Sequence, residues 1–388
     1  MSGRTLKCRS LKTLISMTEY YILRGVIRVT KIWKITEADL TDDSKQTALL
    51  GQLEEIKIAF TYGEIIGIPT ETVYGLAADA RNSEAINKIF SAKGRPGDNP
   101  LIIHIHDIRQ LEDFTSVLDE RVIKLMEAFW PGPISFILPL TGDYLSSNAV
   151  AELDSVAVRM PSHPVGRRIL QHADMPLAAP SANISGKPSP TNAQHVIDDL
   201  EDRLYGVVDS ESAIYGIEST VLDCTQYPYR IARPGAVTKE ELEEVLETIV
   251  DTVSDQTDKP ISPGMKYKHY APKGDLHLVV GDEDKVVEKV CELTNEKTAD
   301  GFKVGIIATE ETKAFYEQKL NYPGQVVIMS IGTRKDEDTI AHNLFDLLRR
   351  MDAEAVEYIY SESFGDVTRG QAIMNRLLKA AGYQQIRV

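Results

Sequence analysis

Cysteine is scarce. Cys8, Cys224 and Cys291 are the three in 388 residues, and no two form a CxxC pair. That excludes a disulfide framework and a zinc ribbon, and it fits a reducing, cytoplasmic setting. No uninterrupted apolar run reaches bilayer-spanning length, so no membrane partner is expected. Positive charge is also short: 43 Lys and Arg stand against 58 Asp and Glu, for a net charge of -15. This excludes a protein whose whole surface grips nucleic acid, but leaves room for a local basic patch. The common nucleotide and catalytic signatures are missing too: GxxxxGK[ST], GxGxxG after a strand, HExxH and GxSxG. Any nucleotide is therefore handled on an uncommon scaffold.

What is present suffices for two domains, each with its own core. The hydrophobic fraction of 43% and charged fraction of 26% are those of a soluble globular protein. Residues 1–34 are basic, with Glu19 as the one acid. They have the composition of a transit peptide but read better as a poorly ordered extension or an early start, with Met17 the alternative. They are set aside from the fold.

Residues 35–249 alternate short apolar runs with amphipathic segments. Strands are expected at 65–68, 101–105, 135–138, 156–159, 177–179, 206–208 and 220–223. Helices are expected at 83–90, 120–130, 165–171 and 193–200, and one more opens at Thr238, where Thr238 and Glu241 form a capping box. The runs do not alternate strictly, so a twisted mixed α/β sheet is expected. Residues 250–274 form a linker whose second half is too aromatic and cationic for a spacer and suits a lid over an anionic ligand. Residues 275–388 return to a clean rhythm that predicts a smaller, Rossmann-like parallel-sheet domain.

The most telling stretch runs from Ile65 to His106. An apolar run stops at Pro69, and the hydroxyl-rich turn Thr70-Glu71-Thr72 follows. A helix then ends in the basic loop Lys93-Gly94-Arg95-Pro96, before a second apolar run that carries His104. This order sets hydroxyls and two cations beside the ends of a sheet, which suits an anionic small molecule. Arg159 closes another apolar run, where a charge needs a partner. A structural salt bridge is the plain alternative there, as a satisfied core histidine is for His104.

These residues resemble the YrdC-like family, in its two-domain threonylcarbamoyl-AMP synthase branch. The likeness is carried by PTETVYGL (69–76), KGRPGDNPLIIH (93–104), WPGPISFIL (130–138), VAVRMPSHP (156–164) and APSANISGKPSPT (179–191). It continues in GIESTVLD (216–223), RPG (233–235) and SPGMKYKHYAP (262–272). The resemblance implies a YrdC-like domain with a positively lined central cavity. It also implies a reaction: L-threonine, bicarbonate or CO2, and ATP condense to L-threonylcarbamoyl-AMP and pyrophosphate, for N6-threonylcarbamoyladenosine on tRNA beside the anticodon. The downstream partner would be the tRNA-modifying threonylcarbamoyl transferase complex, and transient tRNA contact stays open.

Carried over residue by residue, Lys93 and Arg95 would hold the triphosphate and count as catalytic. Thr72, His104, Arg159, Ala179 and Ser219 would bind threonine. Arg95, Asn99, Ser155, Ser181, Ser189, Arg233 and Tyr270 would bind ATP, with Asn183, Tyr267 and Lys266 assisting. Magnesium would come with ATP, held by phosphates and water, with Glu71 and Glu218 at most touching it through water. The rivals are a double-stranded RNA-binding module, which the net charge opposes, and a carbamoyltransferase, which would need an acylphosphatase-like region and cysteine-rich zinc motifs. The second domain is expected to position the linker or dock partners.

Overall fold

The computed structural model describes residues 30–252, 269–320, 322–365 and 369–388. In the first domain eleven strands form one sheet in the order β1-β8-β2-β3-β7-β4-β6-β5-β9-β10-β11. They are β1 (Lys31–Lys34), β2 (Ile66–Ile68), β3 (Gly75–Asp79), β4 (Ile102–His104), β5 (Ile134–Pro139) and β6 (Ser155–Arg159), followed by β7 (Leu177–Ala178), β8 (Gly206–Asp209), β9 (Thr220–Asp223), β10 (Arg230–Arg233) and β11 (Asp251–Thr252). Pairings are mixed: β4 runs parallel to β6 but antiparallel to β7, and β5 runs antiparallel to β6 but parallel to β9. The sheet begins inside the segment set aside above, because Trp33 is buried and Lys31–Lys34 pair with Gly206–Asp209.

Helices cover both faces. Helices Ser83–Lys93, Glu120–Phe129 and Ala193–Leu200 pack Ile86, Ile89, Leu125 and Val196 into one core. Helices Gln46–Thr61 and Pro164–Ala173 pack Leu53, Phe60, Ile169 and Leu170 into the other. The helix Ser83–Lys93 starts at Asn82, whose side chain accepts from the Glu84 and Ala85 amides, and stops at Gly94 in the left-handed region (φ 61°). That stop turns the chain sharply and aims the next residue, Arg95, along a new direction.

The second domain is a five-stranded, all-parallel sheet of order β14-β13-β15-β12-β16. Its strands are β12 (Asp275–Val280), β13 (Val304–Ala308), β14 (Val326–Ser330), β15 (Tyr358–Glu362) and β16 (Gln385–Arg387). The domains share a core, in which Val73, Ile217 and Tyr270 pack with Phe345, Leu344 and Ile373. Polar ties cross it as well. Arg349 forks onto buried Asp199 (Nη2 at 2.8 Å) and donates to the Pro188 carbonyl at 2.6 Å, while His342 donates to the Ile214 carbonyl at 2.8 Å. Among the described residues, no helix is long and apolar enough to cross a membrane.

Candidate active site

A cavity opens where β3, β4, β6, β9 and β10 end and the 179–191 loop crosses them. Its wall brings together most of the residues singled out from the sequence: Thr72, Arg95, His104, Arg159, Ala179, Ser181, Asn183, Ser189, Ser219, Arg233 and Tyr270. Thr70, Lys187, Glu218 and His269 join them.

The hydroxyl turn is built by Thr70, whose Oγ1 donates to the Val73 carbonyl (2.6 Å) and lies 2.9 Å from Thr72 Oγ1. This holds Thr72 toward Arg159, whose Nη1 donates to its hydroxyl at 2.7 Å. Arg159 does have a protein partner: its Nη2 is 2.7 Å from the Glu71 carboxylate, and both side chains are buried. The salt-bridge alternative is thus present, and any ligand carboxylate would meet a guanidinium already paired. Burial opposes the Glu71 charge, but Arg159 overcomes this and holds the carboxyl below its ordinary range.

His104 Nδ1 lies 3.1 Å from the Ile102 carbonyl, so Nδ1 carries the proton and Nε2 offers a lone pair. Burial, with Arg159 adding to it, pushes its pKa down to about 3. An unfolded chain would take up this proton near the ordinary histidine value of 6.5, so folding stability is full above that pH and declines as pH falls toward 3. The loss at pH 4 is expected to be about 3 kcal/mol. Denaturation midpoints against pH, compared with those of His104→Gln, check this. Equal acid slopes in the two proteins would refute it.

The two cations of the basic loop part company. Arg95 lines the cavity and donates to the carbonyls of Asn99 (3.3 Å) and Pro100 (3.2 Å). Lys93 does not line it. Buried at the helix end, its ammonium donates to the carbonyls of Ser181 and, at 2.8 Å, Asn183. Burial, with Arg95 beside it, pushes the Lys93 pKa well down. From there, beside Arg95, Lys93 pins the 181–183 loop.

Asn99 is buried next to this loop, and neither atom of its amide has a hydrogen-bond partner among the described residues. Such an amide is costly to leave bare, which suits a ligand contact. Ser155 stands apart, at the far end of β6, about 13 Å along the strand from Arg159. Strand alternation puts it on the Arg159 face with Ala157, which packs with Ile102, Ile137, Val221 and Ala232. Lys266 and Tyr267 lie outside the described residues.

On the far wall, Arg233 donates to the Ser219 carbonyl (2.9 Å) and hydroxyl (3.1 Å). Ser189 donates to Glu218 at 2.6 Å, and the other Glu218 oxygen meets Arg376 of the second domain at 3.0 Å. Burial opposes the Glu218 charge, but Arg376 and then Arg233 keep its carboxyl below the ordinary range. Tyr270 stacks on Phe345 with ring centroids 5.1 Å apart, so the linker's end is held by the second domain. Arg376 went unread in the sequence. Its signal was a charge on the apolar stripe Ala372, Ile373, Leu377 and Ala380.

Comparison with known proteins decides the family. A Sua5/YciO/YrdC domain model described as telomere recombination matches residues 59–235, and the model of the threonylcarbamoyl-AMP synthase C-terminal domain matches 237–382. The chain is 45% identical over 360 residues to a Bacillus subtilis threonylcarbamoyl-AMP synthase, covering 92% of this chain and 99% of that one. The chain belongs to the threonylcarbamoyl-AMP synthase family. It is 40% identical to the Pyrococcus abyssi synthase, covering 87% of this chain and 97% of that one. The crystal structure of P. abyssi Sua5 complexed with L-threonine superposes with a TM-score of 0.82 at 38% identity, covering 92% of this chain and all of that one. The two-domain α/β fold expected from the sequence is therefore that of the synthase family, and so is the enzyme class. The family's role is N6-threonylcarbamoyladenosine synthesis on tRNA.

Proposed function

We propose that this cavity binds L-threonine against Arg159, Thr72 and His104, binds ATP against Arg95, Arg233, Asn99 and the 181–189 loop, and joins them through bicarbonate or CO2. The threonine amine attacks CO2 and loses a proton to bicarbonate or water, giving a carbamate. A carbamate oxygen then attacks the α-phosphorus, and pyrophosphate leaves. The observation that carries this reading is the division of the wall. One side pairs a guanidinium with a hydroxyl and an imidazole lone pair, which matches an amino acid's carboxylate and its own donors. The other presents Arg95 and Arg233 toward the same space, which suits phosphates.

His104 is too weak a base to take the amine proton at neutral pH, so its Nε2 serves as an acceptor that orients threonine. Catalysis is then mostly positioning and charge neutralisation. Ser189 gives its one proton to Glu218, so it shows lone pairs to the cavity and suits a ribose hydroxyl better than a phosphate oxygen. The space left between these groups is about 60 Å³. Glu71 and Glu218 are each ion-paired with an arginine, so neither is set as a magnesium ligand, and the metal would ride on the phosphates. A cytoplasmic setting and hand-over to a tRNA-modifying complex complete the reading.

The test is pyrophosphate release from ATP, with L-threonine and bicarbonate each omitted in turn, for the native chain and Arg95→Ala. Release should need both cosubstrates and fall by about a hundredfold or more in the variant. Release indifferent to threonine would return the cavity to another substrate.

A further inference from the structure

Arg376 lies on the helix Arg369–Ala380 of the second domain and has no exposed surface. A buried guanidinium persists only where partners answer it; beside a long contact to the neighbouring Asn375 Oδ1 at 3.4 Å, those of Arg376 lie in the other domain. Nε meets the Glu218 carboxylate at 3.0 Å, and Nη1 donates to the Pro234 carbonyl. Glu218 takes the Ser189 hydroxyl on its second oxygen, and Pro234 directly follows Arg233. The Tyr270 ring lies 6.0 Å from the guanidinium carbon. One side chain thus links the three turns that carry Ser189, Glu218 and Arg233 to the cavity.

We propose that Arg376 is a positioning residue for the nucleotide side of the cavity, through which the second domain becomes part of the ATP site. The proposal rests on the assignment of ATP to that side. Its logic is electrostatic. Glu218 is a carboxylate on a wall meant for a polyanion. Left unpaired, it would repel the triphosphate, or take a proton and lose its hold on Ser189 as an acceptor. Arg376 cancels that charge from behind, where the guanidinium touches no ligand. Arg233 faces Glu218 as well. Lysine is a poor substitute, because one ammonium cannot span both Glu218 and the Pro234 carbonyl with a planar fork.

The experiment measures calorimetric binding of ATP alone and of L-threonine alone to the full chain, in the native protein, R376M, R376K and E218Q/R376M. R376M should weaken ATP by about tenfold or more while threonine changes by less than about twofold. R376K should fall between R376M and the native protein. E218Q/R376M, which removes both charges, should recover ATP affinity to within about threefold of native. The double variant also tests the proposal if R376M fails to fold. Native ATP affinity in R376M overturns it. So does a double variant that binds ATP as weakly as R376M, or an equal loss of both ligands without rescue. Failure of the underlying functional reading looks different: native protein that binds ATP but releases no pyrophosphate with threonine.

Discussion

Arg159→Met is expected to abolish L-threonine binding and to lower stability by about 3–5 kcal/mol at neutral pH. Arg159 is 4% exposed and Glu71 is fully buried, so removing the guanidinium leaves a carboxylate with no counter-charge and no water. Thr72 also loses the donor that fixes its hydroxyl, and the Gly132 carbonyl loses a partner. In the native protein the Glu71 carboxyl is held below its ordinary value of 4.5, so its pairing stabilises the fold above that pH and is lost as pH falls through the lowered pKa. In the variant the sign reverses. Burial then outweighs the backbone amides left on Glu71, its pKa rises, and the fold is penalised as pH climbs through that raised value. The stability deficit should therefore shrink as pH falls through that raised value, and further below about pH 4.5. Adding Glu71→Gln should restore most of the stability but none of the threonine affinity. Denaturant midpoints and threonine calorimetry together check this. Arg159→Met protein that is as stable as native at pH 7, or that still binds threonine, would sink the assignment of Arg159 and of its pairing.

That pair also shows how far the sequence could be read. His104 and Arg159 stood out because each lies in or closes an apolar run, where a polar group needs a reason, whereas Thr72 was singled out through the family resemblance. The identity of the Arg159 partner was not legible, since Glu71 lies far away in sequence and meets it only across the sheet. The place of Lys93 was not legible for a similar reason. A KxR loop puts two cations in one place along the chain, yet helix geometry sends residue 93 inward to the 181–183 carbonyls, and Gly94 turns residue 95 outward toward the cavity. Strand β3 was missed because GLAAD lacks β-branched residues; it is a strand only because its neighbours β2 and β7 supply pairing on both sides. The helix Gln46–Thr61 carries Gly51 and has no side-chain N-cap, so its start gives no local signal. The second domain's parallel-sheet rhythm was read from apolar runs with helices between them, but its short strand Gln385–Arg387 was not. The parallel sheet buried on both faces is the case that periodicity handles best. Interdomain contacts such as Arg376 with Glu218 have no pattern within either segment and emerge only from the packed fold.

Gly235→Ala should inactivate the enzyme without touching a polar side chain. A Cβ at 235 would lie 2.3 Å from the Thr220 nitrogen, 2.4 Å from the Ser219 carbonyl carbon and 2.5 Å from the Glu218 oxygen. All three are backbone atoms, so no side chain can rotate away. The clash falls between two turns already locked together: Thr220 Oγ1 donates to the Val237 carbonyl at 2.5 Å, and the Val237 amide donates back at 3.0 Å. Relief requires the 218–220 and 233–235 segments to separate, at about 1–3 kcal/mol or more. That separation moves Ser219 and Arg233, and it pulls Glu218 from Ser189. Both halves of the cavity are then out of register, so KM should rise for threonine and for ATP together, with kcat down by about a hundredfold or more. Gly142→Ala is the control, because Gly142 has a φ of 68° but no neighbour within 4 Å of an added Cβ. It should cost about 1–2 kcal/mol of backbone conformation and leave kinetics as they are. If the 235 variant matched the control in kinetics, the backbone contact between these turns would not be what holds the two binding halves in register.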